Sequence, residues 1–147
     1  MPEVIGIDHI YITVADLSRS ERFYDVVMKA LAFRKNEFQL EGDRHIQYYN
    51  RHFGYVLRPS RVERAHDPYA PGLHHFCLRV DSEEQVKETA EALRAQGIAV
   101  SEAVRYPEYA PDYFACFLSD PDGIRLEITN YRKERRKRHD DWEGLEP

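Results

Sequence analysis

Cysteine is scarce: Cys77 and Cys116 are the only two in 147 residues. That excludes a disulfide scaffold, and the pair reads as buried free thiols in a reducing cytoplasm. Positive charge is not in excess either. Lys and Arg number 21 against 26 Asp and Glu, a net charge of −5, so nucleic acid is not an expected partner. Apolar runs are only a few residues long, too short for a transmembrane helix, so no membrane partner is expected. The stretch Met1 to Gly6 lacks the basic region and apolar core of a secretion signal. Nucleotide-binding glycine loops, Cys-x-x-Cys pairs and a serine-nucleophile elbow are also missing. What is present is 42% hydrophobic and 32% charged residues, the composition of one soluble globular domain.

Periodicity divides the chain into two similar halves. Val4 to Val14 reads as a strand with Ile10, Ile12 and Val14 on one face and His9, Tyr11 and Thr13 on the other. A helix follows, capped by Asp16 or Ser18, the latter with Glu21 at capping-box spacing. Phe23, Val26, Val27, Ala30 and Leu31 form its apolar stripe. Strands are then expected over 33–40, 45–49 and 53–57. Residues 59–72, with Pro59, Pro68 and Pro71, read as a linker. The pattern restarts with a strand over 74–80, a helix opened by the Ser82/Gln85 capping box, and strands over 98–104, 113–118 and 124–129. Asp120-Pro121-Asp122-Gly123 is a tight-turn signal before the last strand. The halves, 4–58 and 73–130, form an internal repeat. The expected fold is α+β: two tandem βαβββ modules within a single domain, 1–131, whose curved mixed sheets make a half-barrel around a cavity. Residues 132–147 follow as a polar, charged tail or last helix. Six bases and one acid fill 132–138, either a solvated face or a basic lip over an anionic ligand.

His9 and His75 occupy equivalent positions on equivalent strands, each away from the aliphatic face. Glu127 lies opposite Ile124, Leu126 and Ile128 in the last strand. A carboxylate buried there needs a compensating partner. Two imidazoles and one carboxylate form a facial set for a divalent metal, with positions left open for a chelating substrate or water. The bland alternative is three satisfied buried polar residues. Tyr11, Cys77 and Arg79 share faces with the histidines, and Arg125 shares one with Glu127. Arg79 or Arg125 would hold an anionic group or pair with a protein acid. Tyr11 and Tyr113 would orient substrate or move a proton, with core packing the competing role for Tyr113. Tyr69-Ala70-Pro71 and Tyr109-Ala110-Pro111 recur in loops that would flank a cavity mouth or serve as plain turns. His45, His52 and His74 read as surface or packing residues; His66 and His139 lie in loops without ligand spacing.

Asp8-His9-Ile10, Asp16-Leu17 with Phe23-Tyr24, and Asp120-Pro121-Asp122-Gly123 with Leu126-Glu127 resemble the vicinal oxygen chelate superfamily over about residues 5 to 130. That superfamily contains glyoxalase I, methylmalonyl-CoA epimerase, extradiol dioxygenases, fosfomycin-resistance enzymes and bleomycin-binding proteins. The resemblance implies metal ligands at His9, His75 and Glu127, a divalent ion such as Mn, Fe, Ni or Zn, a small-molecule substrate and a homodimer. Residues 53–58, Phe-Gly-Tyr-Val-Leu-Arg, lack the fourth ligand of glyoxalase I and the epimerase. Phe117 stands where an extradiol dioxygenase has Tyr, and no His occurs in 105–116. Tyr11 stands where fosfomycin enzymes carry Thr. The leading expectation is a metal-dependent enzyme that chelates two neighbouring substrate oxygens. The alternatives are a non-catalytic module that sequesters an antibiotic or aromatic ligand, and an extradiol-type Fe(II) dioxygenase.

Overall fold

A computed structural model describes residues 1–146. Pro147, the end of the expected tail, lies outside the described residues. The strands are β1 (His9–Val14), β2 (Arg34–Leu40), β3 (Asp43–Tyr49), β4 (Gly54–Pro59), β5 (His75–Val80), β6 (Val104–Arg105), β7 (Phe114–Ser119) and β8 (Arg125–Asn130). The helices are α1 (Leu17–Ala30), α2 (Glu83–Ala95) and α3 (Lys133–Asp140). The chain is α+β and forms the two βαβββ modules expected from the repeat. Each has its own four-stranded sheet, ordered β1-β4-β3-β2 and β5-β8-β7-β6. Both sheets are open, with edge strands, and neither closes into a barrel.

Residues 1–67 together with Asp120–Ile124 form one compact unit, and Pro68–Ser119 with the described residues from Arg125 onward form the other. In the first, β1 runs parallel to β4, and β4–β3–β2 is antiparallel. Asp16 caps α1 by accepting from the Arg19 amide at 3.0 Å. Ser18 is therefore inside the helix. Its expected capping partner, Glu21, instead binds Arg44 and Lys35. Tyr24, Val27 and Met28 of α1 are fully buried, as are Ile46, Tyr55 and Leu57. Tyr55 donates its hydroxyl to Tyr24 at 3.0 Å, and Tyr24 donates to Asp120 Oδ2 at 2.8 Å. Asp120 Oδ1 accepts from the amides of Asp122 and Ile124, both at 2.9 Å. Burial raises the Asp120 carboxyl above its usual range, and these donors only partly oppose that rise. Asp122 accepts from the Ala15 amide and from Arg19. Gly123 takes φ +82°, which glycine adopts without steric penalty.

In the second unit, Ser82 caps α2 by accepting from the Gln85 amide at 3.2 Å, while Gln85 Oε1 accepts from the Asp81 amide. Val86, Ala90 and Leu93 bury the inner face of α2. The register pairs Cys77 with Glu127 and Glu127 with Phe117. The corresponding pairs of the first unit are Tyr11 with Val56 and Val56 with Gln47. Val56 is thus the repeat counterpart of Glu127.

Several boundaries differ from expectation. Residues 4–8 are not a strand, because β4 begins at Gly54 opposite His9 and meets this stretch through a single bond, from the Gly54 amide to the Asp8 carbonyl at 2.9 Å. The strand expected over 98–104 contracts to Val104–Arg105. Arg94 donates to the carbonyls of Val100 and Ser101, which a ladder would otherwise use. Cys116 is buried as expected, whereas Cys77 is exposed on the strand face that carries His75.

Candidate functional site

The second unit gathers most of the chemistry on the sheet face away from α2. His75, Cys77 and Arg79 alternate along β5, next to Arg125, Glu127 and Thr129 of β8. A pocket of about 310 Å³ is lined by His74, His75, Tyr109, Tyr113, Phe117, Arg125, Leu126 and Glu127. Two of the three expected ligands, His75 and Glu127, therefore share one pocket. So do Tyr113 and Arg125.

Glu127 is only 4% exposed. Tyr113 compensates its charge by donating a hydroxyl hydrogen bond to Oε2 at 2.7 Å. The phenol acts on this carboxylate, so its role extends beyond core packing. Burial, then the carboxylate, pushes the Tyr113 ionisation far above the usual tyrosine range. The cation of Arg132 opposes this from 4.4 Å over the Tyr113 ring. Phe117, paired with Glu127, supplies a hydrophobic wall without a hydroxyl.

His75 meets His74 through their Nδ1 atoms at 2.7 Å. His74, read from sequence as surface or packing, is a pocket residue and the ring neighbour of Tyr69 at 5.5 Å. Tyr109 packs edge-on to Tyr113 at 5.2 Å and stacks on Tyr106 at 5.5 Å. The Tyr-Ala-Pro segment at 109–111 thus flanks the pocket through its tyrosine. Arg79 stacks on Tyr131 at 4.0 Å, and Arg136 stacks on the same ring at 4.1 Å. A second, wider depression of about 530 Å³ runs along residues 98–101 and β7. Its lining includes Arg94 and Arg125 but no imidazole or carboxylate.

His9 belongs to the first unit. It is exposed on β1, and its Nδ1 lies 2.6 Å from Asp8 Oδ1. A carboxylate only accepts, so Nδ1 donates in this contact and Nε2 is the nitrogen left to face another ligand. Tyr11 is 42% exposed and packs edge-on to both His9 and His45, at 5.9 and 5.6 Å. His45 is buried, stacks on Phe38 at 5.0 Å, and donates from Nδ1 to the Asp43 carbonyl at 3.0 Å. Val56, 2% exposed, fills the position corresponding to Glu127. The β1 face of this unit therefore offers the His9 imidazole and no carboxylate at the position matching Glu127. Among the described residues of the single chain, no three His, Cys, Asp or Glu side chains gather at one metal-sized point.

Sequence reasoning did not find His74 or Arg132. His74 carries no signal beyond its place next to His75. Arg132 is hidden within the basic run, where composition cannot distinguish an enclosed cation from a solvated one.

The family model of the Glyoxalase/Bleomycin resistance protein/Dioxygenase superfamily matches residues 6–128. Among curated relatives, the uncharacterized protein YqjT of Bacillus subtilis is 29% identical over 125 residues, covering 82% of this chain and 95% of that protein. The virulence protein STM3117 of Salmonella typhimurium is 26% identical over 129 residues, covering 85% and 83%. In fold, the chain is similar to a glyoxylase/bleomycin resistance protein/dioxygenase domain from Frankia sp. EAN1pec. The TM-score is 0.73 at 22% identity, covering 88% of this chain and 100% of that one. It is also similar to the fosfomycin resistance protein FosX of Listeria monocytogenes, with TM-score 0.66 at 16% identity and coverage of 91% and 98%.

Proposed function

The chain belongs to the Glyoxalase/Bleomycin resistance protein/Dioxygenase superfamily, and on that premise we propose that it is a metal-dependent enzyme acting on a small substrate through two neighbouring oxygens. The observation that carries this reading is that His75 and a buried Glu127 line one pocket.

The donor chemistry fits a divalent ion of the Mn, Fe, Ni or Zn kind. Glu127 has one oxygen engaged by Tyr113, and its other neighbour on the sheet face is the weakly donating Cys77 thiol. His9 presents Nε2 because its Nδ1 is engaged by Asp8. His9, His75 and Glu127 are assigned as the ligands, a three-donor set that leaves positions for substrate. When bound, the ion supplies Lewis-acid stabilisation to charge developing on the substrate oxygens. Tyr113 holds Glu127 in place and excludes water from one of its oxygens. Arg79 and Arg125 supply positive charge on the same sheet face, and Tyr11 lies next to His9.

A homodimer suits the open edge of β1 and the exposed apolar residues Val4, Ile5 and Ile7 just before it. Such an assembly requires no membrane, and the cytoplasm is its expected setting. A binding protein for an aromatic or antibiotic ligand is the second reading, favoured by the Tyr106, Tyr109 and Tyr113 ring cluster at the pocket. A panel of Mn(II), Fe(II), Ni(II) and Zn(II) titrated calorimetrically into metal-free protein separates the two. The enzyme reading expects tight binding of at least one ion, weakened by about tenfold or more in His9→Ala and Glu127→Ala. Equal affinity in the wild type and both variants overturns the ligand assignment.

A further inference from the structure

Arg132 is enclosed at 7% exposure, and its Nε is buried without a hydrogen-bond partner. Among the described residues its guanidinium has no ion pair and no acceptor, only the Tyr113 ring at 4.4 Å. Its neighbours in the basic run are occupied differently. Arg136 binds the Asp81 carboxylate at 2.6 Å and the Tyr131 carbonyl at 3.2 Å. Arg138 pairs with Glu134 at 3.2 Å.

A guanidinium cannot shed its proton and carries five donors in one plane. Enclosing it without an acceptor is unfavourable. Stacking occupies only the face of the cation and leaves the in-plane donors available. Those donors match the paired oxygens of an oxyanion. Tyr113, whose ring the guanidinium covers, donates to Glu127 at 2.7 Å, so Arg132 stands next to the β5–β8 surface that carries Glu127. The other arginines of this face are stacked or exposed: Arg79 lies on Tyr131, and Arg125 is at the surface.

We propose that Arg132 is an anion-binding residue beside the Glu127 pocket, behind its Tyr113 wall, and that the ligand of this protein carries an oxyanion, a carboxylate or a phosphate-type group, that docks on it. This rests on reading that pocket as the binding site, but not on the metal. The charged end of the ligand then lies on the guanidinium side of Tyr113, with its neutral oxygens towards Glu127 and His75.

The test uses metal-free, full-length protein with inorganic phosphate and acetate as probes. Nitrogen-15 spectra follow the Arg132 Nε–H signal, assigned through the backbone. The expected result is a saturable shift of that signal, with phosphate affinity falling about tenfold or more in Arg132→Lys. Arg135→Met, an exchange in the basic helix that Arg132 precedes, should leave the affinity within about twofold. A stationary Arg132 signal, or an equal loss in Arg135→Met, overturns the proposal. If Arg132→Lys does not fold, the wild-type shift still decides. A protein that shows the shift but binds no metal keeps the anion site and discards the metal reading; the reverse result discards the anion site alone.

Discussion

Replacing Tyr113 by Phe removes one oxygen and keeps the ring that faces Arg132. The lost contact is the 2.7 Å hydrogen bond to a carboxylate that is 4% exposed. A hydrogen bond to a charged group contributes about 1.5–3 kcal/mol. The Cys77 thiol, paired with Glu127 across the strands, is too weak a donor to replace the phenol. Tyr113→Phe is therefore expected to unfold about 1.5–3 kcal/mol more easily at neutral pH, which lowers the melting temperature by roughly 3–12 °C for a chain of this size. Urea unfolding followed by circular dichroism measures it. The slope should stay that of the wild type, because the surface exposed on unfolding is the same. A loss below about 0.5 kcal/mol would show that Glu127 finds its stabilisation elsewhere, and the role given to Tyr113 would fall.

Two further outcomes test the framework that carries the site. Burial raises the native carboxyl of Asp120, so the stability it contributes is present below the ordinary aspartate range and is lost as pH rises through its native value. The stability of the wild type relative to Asp120→Asn should thus fall across that window, measured by urea titrations at several pH values. A flat or rising difference would refute the sign. Ser82→Ala removes the cap of α2 and should destabilise by about 1 kcal/mol, read from the unfolding midpoint; no change would mean that Gln85 and the two acidic residues of the first turn hold the helix end without it.

The fold was legible because each half repeats one pattern, and strand alternation placed His9, His75 and Glu127 on their faces. The same alternation put Tyr11, Arg79 and Arg125 on the correct side of their strands. What escaped reading depends on contacts distant in sequence. Whether 98–104 pairs as a strand depends on Arg94, whose side chain takes two of its carbonyls. Asp16 rather than Ser18 opens α1 because Arg44 and Lys35 draw Glu21 away from the helix end. Arg132 differs from Lys133 or Arg135 through its burial and the ring of Tyr113 against it. His74 gains its place from the imidazole next to it.

The turn from Asp120 to Ile124 lies between two strands of the second unit yet belongs to the first, where Tyr24, Ala15 and Arg19 bind its carboxylates. The two repeats are consequently no longer interchangeable copies. A gene cut in the linker would yield an amino-terminal fragment whose Tyr24 hydroxyl has lost its acceptor, and a carboxy-terminal fragment with that acceptor stranded in solvent.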